Sequence, residues 1–330
     1  MAGLALALER AWYRSPGLLW LLLPLEWLFA LTTSCRRWLF RRGVFASRYP
    51  GCPLVVVGNI SVGGTGKTPV VMELARVMSV SGLAVAVISR GYGGSALGVV
   101  RVTPDSDPRE VGEEPALIAR RVPCPVFVGR DRAAAAMQAR EEGAEVILSD
   151  DGLQHYRLRR DIEIIVLDAN QPLGNGHLLP LGPLREGAWR LKTVDFVLEH
   201  HGDRSERRLT YTPAHLRSLN SGEIRSPSAS ELGPRVHALA AIARPERFFE
   251  TLRGLGFGVT EHALRDHSDL SLVSLEPLRD RPLIMTSKDA AKFDPDAHPD
   301  AWSLEMDLRL PEAFVDALIC RLRKGEPCAS

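Results

Sequence analysis

Short runs of consecutive apolar, largely β-branched residues recur along the chain, each closed by a polar or glycine-rich break and followed by residues at helical spacing. The runs at 54–57, 84–89, 99–102, 126–128, 146–149, 162–167 and 194–198 lack alternation, so they read as strands buried on both faces of a parallel sheet. Helical segments at 70–80, 114–121 and 130–141 separate several of them. Alternation of this kind predicts an α/β fold, a doubly wound parallel sheet with its site at the carboxyl ends of the strands. Periodicity fades over 201–235, where Arg, Ser and Pro accumulate, and that stretch reads as a linker. Beyond it, strands at 236–242, 283–286 and 302–308 and helices at 245–255 and 311–324 predict a second, smaller α/β lobe. The expected division is 1–50, 51–200, 201–235 and 236–330.

The N-terminal pattern is different. From Gly17 to Thr33 the chain reads GLLWLLLPLEWLFALTT, interrupted by Pro24 and Glu26. A spanning helix wants roughly 20 mostly apolar residues, and a central carboxylate costs about 2.5–3.5 kcal/mol. Flanking arginines and scattered tryptophans suit a helix lying in a membrane interface, rings at headgroup level and guanidinium groups on phosphates. A helix packed on the protein's own core, a true span and a cleaved signal peptide are the other readings.

Composition sharpens this. Forty-one basic residues against 40 acidic leave +1 overall, no field for nucleic acid. Residues 1–50 hold seven arginines and two glutamates, a net +5, which leaves −4 for the remainder. The basic charge therefore flanks the apolar run, as an anchor at a membrane surface would require. The five cysteines are scattered without a C-x-x-C pair, so neither a disulfide framework nor a zinc site is expected, and a reducing compartment is. The His200-His201 pair reads as surface. Lysine occurs only at 67, 192, 288, 292 and 324, so each lysine retained in this arginine-rich chain is a clue.

Lys67 lies in Gly58-Asn59-Ile60-Ser61-Val62-Gly63-Gly64-Thr65-Gly66-Lys67-Thr68-Pro69, between the first strand and the first helix. Glycines there let backbone N–H groups converge on an anion, Lys67 reaches the β/γ-phosphates and the Thr68 hydroxyl can bind Mg²⁺. Ser61 stands where the usual G-x-x-x-x-G-K-[ST] pattern has its first glycine. A P-loop NTPase-type core binding nucleotide through 61–68 follows. The strand at 146–149 runs into Asp150-Asp151, adjacent carboxylates whose repulsion a cation relieves, and Asp151 is the candidate metal ligand with Thr68. Gln154 follows just beyond. Arg90, Arg130 and Arg185 lie near strand ends or glycine loops, where they could meet phosphates.

Taken in order, V-G-N-I-S-V-G-G-T-G-K-T-P (57–69), S-R-G-Y-G-G (89–94), V-G-E-E-P (111–115), V-F-V-G-R-D-R (126–132), D-D-G-L-Q-H (150–155), G-N-G-H-L-L-P-L-G-P-L-R-E (174–186), D-H (266–267) and T-S-K-D-A-A-K (286–292) closely resemble the tetraacyldisaccharide 4′-kinase family. The resemblance implies transfer of phosphate from ATP, with Mg²⁺, to the 4′-hydroxyl of a lipid disaccharide 1-phosphate in lipid A biosynthesis, at the cytoplasmic face of the inner membrane. It implies that Lys67 and Thr68 hold the triphosphate and metal, and that Asp151 contacts the metal beside Asp150 and Gln154. Arg90, Gln154, Arg185 and Glu186 would line the substrate cleft. Its Asp–His base pair falls on Glu113 and His267, with Glu in place of Asp; the carboxylate survives, displaced by about one methylene. No obligate protein partner is indicated. Two other classes fit the same residues: a hydrolase in which Gln154 or Glu113 orients water to drive a partner, and a nucleotide-dependent interaction module without turnover.

Overall fold

The computed structural model describes residues 11–13, 17–62, 66–169, 173–242, 245–264, 275–291 and 293–324. Two compact units emerge: residues 1–210 with 310–330, and residues 211–309.

In the first unit, β1 (Leu54–Gly58), β2 (Val85–Ser89), β3 (Val99–Val102), β4 (Val126–Gly129), β5 (Val146–Asp150), β6 (Ile162–Asp168) and β7 (Phe196–His200) form one sheet. Its order is β7-β6-β1-β5-β2-β4-β3, parallel except for β3 against β4. β1, β2 and β5 are buried along their whole length, the physical counterpart of their unbroken apolar runs. Val57 pairs with Asp150, so the phosphate loop leaving β1 and the acidic pair leaving β5 emerge side by side. Helix α2 (Lys67–Val80) follows the loop and buries Val70, Val71, Leu74 and Met78. In α3 (Glu113–Arg121), acidic residues fill the first turn and arginines the last, matching the helix dipole at both ends. In α4 (Arg132–Glu141), the Asp131 carboxylate accepts from Ala133 N and Ala134 N, and an alanine-rich face packs against the sheet.

Before these, α1 (Leu23–Arg41) follows a 3-10 turn at Gly17–Leu22, with Pro24 in its first turn. Glu26 is buried: it accepts from Leu178 N at 2.7 Å and lies 3.1 Å from His177 Nδ1. The carboxylate that made a span costly thus docks the helix onto the body. The opposite face exposes Leu21, Leu25, Trp27, Leu28 and Leu31. Among the described residues no helix is long and apolar enough to cross a membrane.

The second unit holds most of β8 (Arg208–Ser218), then β9 (Ile224–Arg225), β10 (Arg235–Ala240), β11 (Gly258–Ala263), β12 (Leu283–Thr286) and β13 (Ala301–Arg309), in the order β11-β10-β12-β13-β8 with β9 on β8. Helix α5 (Pro245–Gly254) buries Phe248, Phe249 and Leu252 in its core.

Three expectations change. The stretch 201–235, read as linker, contains β8, β9 and a helical turn at Ala229–Leu232; arginines and Pro213 hid the strand's alternation. The closing helix α6 (Glu312–Lys324) groups with the first unit, where Phe314 meets Phe196 edge-on and Arg321 pairs with Asp195 at 2.6 Å. Cys320 is disulfide-bonded, whereas Cys35, Cys52 and Cys124 are free thiols.

Candidate active site

The site is built where β1 and β5 end. Gly66, at φ +70°, turns the loop into α2, so Lys67 opens the helix. Its neighbour is unexpected: a Cβ on Gly66 would lie 2.5 Å from His200 Nε2. His200, read as surface, is buried at the end of β7 and stands against Gly66.

The first half of the loop is held by a second segment. Val62 N donates to Pro183 O at 2.8 Å, Arg185 N donates to Ile60 O at 2.7 Å, and Ser61 bridges Leu184. This pairing brings Arg185, 118 residues after Lys67 in the chain, to the loop's edge. Asp151 then becomes shared: Lys67 Nζ is 3.5 Å from one carboxylate oxygen and Arg185 Nη1 3.1 Å from the other. Its backbone is left-handed, φ 47°, and its carbonyl accepts from Arg132 Nη1 at 2.8 Å.

The adjacent carboxyls behave oppositely. Burial favours the neutral form of Asp151, but Lys67, Arg185 with its hydrogen bond, and Arg132 outweigh it and hold the pKa below the ordinary carboxylate value. Burial pushes Asp150 up to about 7, and the charges of Glu114 and Asp151 add to it against Lys67 and Arg132. Among the described residues, Oδ1 of Asp150 and both polar side-chain atoms of Asn59 are buried without a hydrogen-bond partner. Gln154 Nε2 donates to Asn59 O at 3.3 Å, so this glutamine sits beside the loop. His155 is neutral near pH 7, its pKa lowered to about 4 by burial and by Arg132 and Arg160.

Other expected residues are placed differently. Glu113 and Glu114 open α3 on its exposed side, and it is Glu114 whose charge acts on Asp150. Arg90 is exposed just after β2. Glu186 is buried, with one oxygen receiving the Tyr156 hydroxyl and the other Arg190 Nε at 2.9 Å. Gly63, Gly64, Thr65 and His267 lie outside the described residues. Arg132, Arg190, Tyr156 and His200 carried no role in the sequence. Arg132 was findable from the V-F-V-G-R-D-R run; Arg190 had nothing to separate it from 35 other arginines.

A mostly parallel sheet, with a lysine-headed helix and a shared aspartate at its carboxyl edge, defines an α/β protein equipped to handle anionic groups. The chain belongs to the tetraacyldisaccharide-1-P 4′-kinase family, whose model matches residues 18–323. It is 43% identical over 325 residues to a tetraacyldisaccharide 4′-kinase of Shewanella baltica (strain OS185), covering 96% of this chain and 95% of that one. A namesake from Pasteurella multocida (strain Pm70) is 43% identical over 317 residues, covering 94% and 97%. The fold is similar to the "apo" form of LpxK from Aquifex aeolicus crystallised in complex with ATP, with a TM-score of 0.73 and 27% identity over 92% of this chain and 99% of that one. The chain is thus a kinase of lipid A biosynthesis.

Proposed function

We propose that the chain moves the γ-phosphate of ATP to the 4′-hydroxyl of a tetraacyldisaccharide 1-phosphate, working at the cytoplasmic face of the inner membrane. The observation that carries this reading is Asp151 shared between Lys67 and Arg185 at the end of β5. Two cations and one carboxylate then border the place where a triphosphate and its metal belong.

Residues 61–68 would cradle the triphosphate, with Lys67 reaching its terminal phosphates. Thr68 and Asp151 fit Mg²⁺ as hard oxygen donors, and the buried, unpartnered Oδ1 of Asp150 is a further acceptor beside them. When bound, the metal supplies charge neutralisation at the β- and γ-phosphates. Arg185 would supply a second positive charge at the same carboxylate, and Gln154 and Arg90 would orient the sugar. Glu113 with His267 would accept the proton of the 4′-hydroxyl as the oxygen attacks phosphorus. The exposed apolar face of α1 and its arginines support placement at an anionic bilayer surface.

Incubation with labelled ATP, Mg²⁺ and the lipid disaccharide in detergent tests the proposal. Label on lipid supports it; label only in free phosphate, or no turnover, would sink it.

A further inference from the structure

Arg190 is among the largest fully buried side chains, yet it sits in a single 3-10 turn at Ala188–Lys192. All three guanidinium nitrogens donate hydrogen bonds. Nε donates to Glu186 at 2.9 Å, Nη1 and Nη2 donate to the two oxygens of Glu163 at 3.0 and 2.8 Å, and Nη1 also reaches Thr193 Oγ1 at 3.1 Å. Tyr156 occupies the other oxygen of Glu186. A buried ion-pair cluster is weak evidence for stability, because packed apolar residues of the same volume do as well. What it supplies is position.

The position concerns Arg185. It is joined to Glu186 by the chain, tied to the phosphate loop through Ile60 O, and aimed at Asp151. On the outer side, Trp189 is half-exposed and carries the Arg37 guanidinium of α1 at 3.8 Å from its ring centroid. A cavity of about 300 Å³ lies at this junction, lined by Arg37, Trp38, Arg41, Glu186 and Trp189 among others. A continuous set of contacts therefore runs from α1 through Trp189, Arg190 and Glu186 to Arg185 and Asp151.

We infer that Arg190 is a positioning residue for phosphoryl transfer, clamping Glu186 so that Arg185 stays on Asp151, and that Arg37 stacked on Trp189 ties this clamp to α1. The inference rests on the proposed role of Asp151. Seating α1 correctly would then set the geometry of transfer as well as bring the protein to lipid.

Three variants of the full chain test it: Arg37→Ala and Trp189→Ala, which touch the clamp from its exposed side, and Arg190→Lys, which keeps the charge and loses the fork. Backbone hydrogen exchange over 185–192, kcat and KM in mixed micelles, and sedimentation with anionic vesicles are the readouts. Expected are exchange at Arg185 and Arg190 faster by about tenfold in all three, and kcat lower by about 10- to 100-fold with KM for ATP little changed. Vesicle sedimentation stays at the wild-type level for Trp189→Ala. Unchanged exchange in Arg37→Ala and Trp189→Ala would overturn the tie to α1; faster exchange with full kcat in all three would overturn the positioning role. Exchange needs no turnover, so a failed functional proposal would show separately, as a wild-type protein that phosphorylates no lipid.

Discussion

Asp151 holds a backbone conformation that costs a non-glycine residue roughly 1–2 kcal/mol, and it does so where Lys67 and Arg185 converge on its carboxylate. Asp151→Ala leaves both cations without their shared partner, and transfer is expected to fall by at least about 100-fold in a steady-state assay. Asp150 makes a different prediction. Its pKa is raised to about 7, so the folded state favours the proton, and the stability this confers is present at low pH and lost as pH rises towards 7. His155, lowered to about 4, runs the other way, its contribution being lost as pH falls. Comparison with Asp150→Asn isolates the carboxyl: the variant's free energy of unfolding, from denaturant titration, should gain on wild type as pH rises from about 4 to 7. Gly66→Ala places a methyl at φ +70° and 2.5 Å from His200 Nε2, so nucleotide affinity measured by calorimetry should collapse. The loop and strand-end pattern pointed to Lys67 and Asp151, the family resemblance to Arg185, and the structure brings the three side chains together. His200 and Arg190 were not, because their roles come from burial, which a histidine pair or one more arginine does not announce.

At the level of elements, the buried strands were readable to within about a residue or two, since a two-sided apolar run has few other homes. β8 was not, because a strand carrying Arg, Thr and Pro at the edge of a core lacks that signature. In helix α1, Glu26 seats one face on the body and apolar residues of the other remain exposed. Leu25→Glu with Leu28→Glu should abolish sedimentation with vesicles while moving thermal stability by no more than about 0.5 kcal/mol, the range for exposed positions. Glu26→Ala should do the reverse, leaving the Leu178 N–H without its acceptor at a cost of about 1–3 kcal/mol, read as a lower melting temperature.

For the molecule as a whole, near-neutral net charge conceals a +5 segment and a −4 remainder. Binding to anionic vesicles through that segment should weaken as salt rises from about 0.1 to 1 M, where the screening length shrinks from about 10 to 3 Å. Ion pairs buried within the body are screened far less. The catalytic proposal is broader than any one contact: a lysine-headed phosphate loop and a shared aspartate would together move phosphate onto a sugar, with the exposed face of α1 toward lipid. Phosphorus NMR of the lipid product, after incubation with ATP and Mg²⁺, tests it most directly. The account predicts a new phosphomonoester at the 4′ position beside the original 1-phosphate; an unchanged lipid, or phosphate at another position, would contradict it.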